Sequence, residues 1–247
     1  MRTDRIWDLS TFSLLDMLRC SRGLRDCARN ASTFDEAATA IVGYLYSQFA
    51  DRESKIPQCA LIRLYKTAAY KDLSLDLQSF VRRKMGSIAP SPETRVLALI
   101  ATVGVEPEWN DRTRSVAHQA IPLPSVEIVE QAPMIAGLIK ALGFKIADIV
   151  SPSMEFLKDA HGKTHNVFHV AVATGSPLIP AQEEFVIPYG IKSVVGFGGI
   201  LPTGELFALV MFSRVPVDAD AAGRFKSVAL DVKAILHPLA AEGALAM

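Results

Sequence analysis

Two long apolar runs, Ile191 to Leu201 and Glu205 to Arg214, flank the tripeptide Pro202-Thr203-Gly204. Proline at an early turn position presets φ, and glycine supplies the positive φ that the reversal needs, so this spacing predicts a β-hairpin. A hairpin of two such apolar strands commits the chain to an antiparallel sheet buried in a core. Gly196-Phe197-Gly198-Gly199 lies inside the first of these strands. It runs into a turn and not into a helix N-terminus, so the glycines imply close backbone packing or a bulge, not a phosphate loop.

The rest of the chain supplies helices and further strands. Phe34, Ala37, Ala38, Ile41, Val42, Leu45, Tyr46 and Phe49 follow the i, i+3, i+4, i+7 pattern of an amphipathic helix. Thr33 and Glu36 in front of them form a capping box. An N-terminal helix is expected over about 9–29 and a C-terminal helix over about 218–237, with Phe225, Val228, Ala229, Val232, Ile235 and Leu236 on one face. Strands are expected from Gln58 to Thr67, Thr94 to Val103 and Asn166 to Ala173. A short helix is expected around Leu73 to Lys84, and another from about Glu127 to Leu142, ending at Gly143. Between them, the insert at about 104–127 is polar and carries Pro107, Pro122 and Pro124. The order predicts an α+β fold with a central antiparallel sheet and flanking N- and C-terminal helices. No repeat or linker divides residues 1–247, so one domain is expected.

Charge narrows the partners. The 26 Lys and Arg balance 26 Asp and Glu, giving a formal net charge of zero and no basic surplus for nucleic acid. No apolar stretch is long enough for a membrane span, and MRTDRIWDLSTF is not a signal peptide, so a cytoplasmic location is expected. Cys20, Cys27 and Cys59 lack zinc-ligand spacing and read as reduced, buried thiols. No Ser-His-Asp, paired-carboxylate or HExxH constellation is present, so the chain is not expected to be an enzyme.

Three stretches carry a family resemblance: LIATVGVEPEWNDRTRSVAHQAIPLPS (99–125), NVFHVAVATGSPLIPAQEEFVIPYGIKSVVGFGG (166–199) and GELFALVMFSR (204–214). Together with the element order they resemble GAF-like sensory domains, the N-terminal sensor modules of bacterial histidine kinases and diguanylate cyclases. The resemblance implies a non-catalytic sensory or regulatory module in signal transduction, binding a small ligand or signalling as a homodimer. Relatives take cyclic nucleotides, tetrapyrroles, haem or small metabolites, and the residues here name no cofactor. The Asn-Lys-x-Phe-Asp-Glu pattern of cyclic-nucleotide-binding relatives is absent. Neither a phosphoacceptor region nor a GGDEF-like motif is present, so a sensor kinase or cyclase is expected to act in trans. Two alternatives stay open: a protein-interaction module without ligand, and a thiol-dependent redox enzyme on the same fold.

The insert holds the candidate site. Trp109, Asn110, Arg112, Arg114, Ser115, His118 and Gln119 bring an aromatic face, two guanidiniums, a hydroxyl and an imidazole into one turn-rich segment. Arginine offers a forked donor pair and tryptophan a stacking face, a set suited to an anionic or planar ligand. The same residues also serve a loop that packs its own backbone. His161, His165 and His169 recur every four residues. Gly162 and the strand-like sequence after it scatter them, so no metal site is expected, and His169 is kept only as a candidate ligand contact. Arg82-Arg83-Lys84 falls at a helix end, where the helix dipole favours cations.

Overall fold

The computed structural model describes residues 6–156 and 166–240. His161, His165 and Gly162 lie outside the described residues. Helices α1 (Leu14–Cys27) and α2 (Phe34–Gln48) come first, then β1 (Cys59–Ala69), α3 (Leu75–Met85), β2 (Arg95–Gly104) and β3 (Ala120–Leu123). Three short helices follow: α4 (Val126–Glu130), α5 (Pro133–Ala141) and α6 (Ile146–Val150). The chain then forms β4 (Phe168–Val170), β5 (Ser193–Ile200) and β6 (Leu206–Ser213), and closes with α7 (Ala219–Gly223) and α8 (Phe225–Leu236).

The strands make one antiparallel sheet in the order β3-β2-β1-β6-β5-β4. This is the expected α+β, GAF-like arrangement: a helical entry, a central sheet, an excursion between β2 and β4, a closing hairpin and an exit helix. The hairpin is where the turn residues place it, with Ile200 paired to Leu206 and Gly204 at φ +91°. Gly198 lets the two strands approach, since a Cβ there would stand 2.2 Å from the Phe207 carbonyl oxygen.

All eleven residues of β1 are buried, as are all eight of β5 and of β6, because the sheet is covered on both faces. One face packs α1, α2 and α8 through Phe12, Leu45, Phe49, Phe197 and Phe225. The other packs the short helices and the segment around 168–191 through Leu138, Phe144, Phe168, Ile179 and Phe212.

Several boundaries differ from the sequence expectation. The segment expected as one helix over 9–29 divides into a 3-10 turn at Leu9–Thr11 and α1, which opens on its own capping box, Ser13 with Asp16. The helix expected from Glu127 to Leu142 breaks before Pro133, which starts α5 because a proline ring needs no N–H in the first turn. The helix expected over 218–237 divides at Arg224 into α7 and α8. The expected strand at Asn166 to Ala173 shortens to β4. The polar insert contains β3, where Pro122 is tolerated because the strand lies at the sheet edge.

Candidate functional site

Residues 104–119 wrap the free half of the β2 edge, since β3 pairs only with Arg95–Ala98. Two 3-10 turns, Pro107–Asn110 and Arg112–Arg114, shape this excursion. Asn110 secures its base: the side chain accepts from Gly104 N–H at 3.1 Å and donates to the carbonyls of Gly104 and Glu106. Asp111 caps the second turn by accepting from the Thr113 N–H and hydroxyl.

The insert sends its side chains to both faces of the sheet. Trp109 packs on the face of the short helices, with ring centroids 4.5 Å from Tyr189 and 5.6 Å from Phe185. Arg112 turns to the opposite face, donating to the Ile100 carbonyl at 3.1 Å and pairing with Asp35 of α2 at 2.7 Å. Arg114 is exposed beside Glu108 at 3.6 Å. Gln119 donates to the Thr113 carbonyl. His169 lies apart on β4, its Nε2 2.8 Å from the Val217 carbonyl.

A cleft of about 610 Å³ opens where the insert meets α2. Its walls are Asp35, Glu36, Thr39 and Ala40 of α2, the Ile100–Thr102 stretch of β2, and Asn110, Asp111 and Arg112. The acids are already engaged: Glu36 closes the α2 capping box, Asp35 holds Arg112 and Asp111 holds Thr113. The Arg112–Asp35 pair therefore bridges the insert to the first turn of α2 across the cleft.

Ser115 and His118 belong to a different group. Ser115 is buried, and its hydroxyl accepts from Arg63 Nη2 at 3.2 Å. Arg63 Nη1 reaches the Tyr65 hydroxyl at 3.4 Å. His118 is exposed as a residue, with its ring beside Arg63 and Lys84. Desolvation, then the charges of Arg63 and Lys84, push its imidazole down to about 4. Lys84, from the end of α3, donates to the Ala117 carbonyl. Arg63, Tyr65 and Lys84 were not singled out from the sequence as site residues. The available signal was a charged residue in the middle of the apolar run Cys59-Ala-Leu-Ile-Arg-Leu-Tyr65.

Cys20, Cys27 and Cys59 are free thiols. Burial raises the pKa of each, to about 11 for Cys27 and about 12 for Cys59, and Cys20 also moves up. Such thiols stay protonated at neutral pH, the opposite of an activated nucleophile. No helix among the described residues is long and apolar enough to cross a membrane.

No protein-family model matches the chain, and no curated protein matches it. Among solved structures, a GAF domain of a phosphoenolpyruvate-protein phosphotransferase from Coxiella burnetii is 14% identical with a TM-score of 0.47, covering 94% of this chain and 98% of that one. Free methionine-R-sulfoxide reductase from Neisseria meningitidis, in complex with its substrate, is 9% identical with a TM-score of 0.49, covering 92% and 91%. A phycocyanobilin-bound GAF domain from a cyanobacterial phytochrome is 14% identical with a TM-score of 0.45, covering 92% and 97%.

Proposed function

We propose that the protein is a non-catalytic sensory or regulatory module that binds a small ligand in the cleft between the insert and α2. The observation that carries this reading is the cleft itself, with the Arg112–Asp35 pair across it. Its volume of about 610 Å³ falls within the roughly 300–1,000 Å³ of small-molecule sites. A ligand that engages Arg112 competes with Asp35, and so changes how firmly α2 is tied to the sheet edge. Because α2 packs beside α1 and α8, that change reaches the terminal helices. A sensor kinase or cyclase in trans is the output that fits this reading, and a cytoplasmic location accompanies it.

The test is a thermal-shift screen with cyclic nucleotides, haem, bilins and anionic metabolites, followed by calorimetry on each hit. Arg112→Ala is expected to weaken a genuine hit at least tenfold, about 1.4 kcal/mol. A hit whose affinity is unchanged in Arg112→Ala overturns the assignment of the cleft.

A second reading, signalling by helix pairing alone, is favoured by one feature. Leu14, Leu15 and Leu18 of α1 are exposed at helical spacing, Leu14 at 61%, and exposed Leu230 belongs to α8, which packs against α1. A homodimer through this surface predicts a doubled mass in light scattering that reverts to the monomer in Leu14→Gln/Leu18→Gln. A wild-type monomer at 100 µM (about a hundred times a 1 µM Kd) sinks that reading.

A further inference from the structure

Arg63 sits in the middle of β1, between Leu61 and Tyr65 on the face of the short helices. It is only 8% exposed. Its hydrogen-bond partners, the Tyr65 and Ser115 hydroxyls, are both neutral. Its Nε is buried with no hydrogen-bond partner, and among the described residues no carboxylate pairs with it. A buried guanidinium without a counter-charge destabilises the fold, and folded proteins normally pair such groups. Hydroxyls satisfy two of its donors and leave the charge uncompensated.

The surroundings add positive charge. Lys84 arrives from α3, and His118, uncharged at neutral pH, lies in the turn after Ser115 beside both charges. Basic groups from β1, α3 and the insert therefore converge, and among the described residues no acid pairs with Arg63 or Lys84. The turn that carries His118 is at the surface, with Val116 exposed.

We propose that Arg63, Lys84 and His118 form a subsite for a compact oxyanion, the carboxylate or phosphate group of a small ligand. The Arg63 Nε–H and an adjacent Nη–H are the parallel donors that an oxyanion accepts side-on, and Ser115 holds the guanidinium in place. The subsite faces the second core, away from the α2 cleft, and stands whether or not that cleft binds a ligand.

The experiment uses the full chain with acetate, inorganic phosphate and, as control, chloride at matched ionic strength. One anion, or both, is expected to raise the melting temperature saturably, on the order of 2–4 °C beyond chloride. The anion that acts distinguishes a carboxylate ligand from a phosphate one. The His118 ring resonances are expected to move in the same titration, with its pKa rising as the neighbouring charge is neutralised. Arg63→Met, an apolar replacement of similar length, is expected to fold and to lose the response, and Lys84→Ala to weaken it several-fold. If Arg63→Met does not fold, Lys84→Ala and the His118 resonances decide. No response beyond chloride, or a response unchanged in Lys84→Ala, overturns the subsite.

Discussion

Gly198 shows how much one hydrogen in place of a methyl group decides. A Cβ at this position meets backbone, 2.2 Å from the Phe207 carbonyl oxygen, and backbone in the sheet interior has nowhere to move. At Gly196 the nearest atom, at 2.7 Å, is the end of the Leu138 side chain, which can turn aside, although Phe168 is close behind it. Gly198→Ala is therefore expected to cost at least about 3 kcal/mol in urea unfolding, and Gly196→Ala roughly half as much. His118 gives a pH dependence of definite sign. Its folded pKa of about 4 lies below the ordinary histidine value of 6.5, so between those values the unfolded chain binds a proton that the folded chain refuses. Stability is therefore lost as pH falls from 6.5 towards 4, and His118→Asn should flatten that part of the urea-midpoint profile in chloride. The glycine run was legible in the sequence, since a glycine-rich segment inside a strand has few other uses. Arg63 was not, because one charge in an apolar strand does not reveal whether a counter-charge waits on the facing loop.

The helices follow local chemistry closely. In α2, the Thr33 hydroxyl accepts from the Glu36 N–H at 3.2 Å, and the Glu36 carboxylate returns bonds to Ser32 and Thr33. Ser13 and Asp16 do the same at α1. Thr33→Ala and Ser13→Ala are each expected to cost about 1 kcal/mol, measured from chemical unfolding at unchanged m-value. The first box is legible because Glu at the third position matches the usual template, whereas Asp16 is one methylene shorter and falls outside it. Periodicity also ran through breaks it cannot register. Apolar spacing continues from α4 into α5 across Pro133, and the pyrrolidine ring decides where the second helix begins. The insert read as a site as a whole, yet its side chains diverge: Trp109 and Ser115 go to one face of the sheet and Arg112 to the other. Sequence proximity in a loop sets no common direction, because the two 3-10 turns aim successive residues differently.

Both faces of the sheet carry a core, and the strands belong to both, so the two cores should melt together. Phe225 anchors one and Phe168 the other. Truncating either to alanine is expected to cost about 3–5 kcal/mol. The two tryptophans divide the same way, Trp7 in the first core and Trp109 against the second. Fluorescence of Trp7→Phe and Trp109→Phe variants should therefore report coincident unfolding midpoints once each variant's own stability is measured by circular dichroism; separated midpoints within one variant would show the faces opening independently. The pairing of β1 with β6 has a further consequence, for the order in which the chain can assemble. Leu206 N–H bonds to Thr67 Oγ1 across 139 residues of sequence, and Leu61 stands opposite Phe212. The middle of the sheet is thus its least local contact, one that raises contact order and slows folding. During synthesis β1 must wait, with one edge unpaired, until β6 has emerged. A chain halted before residue 206 should consequently give an aggregating product and not a smaller domain.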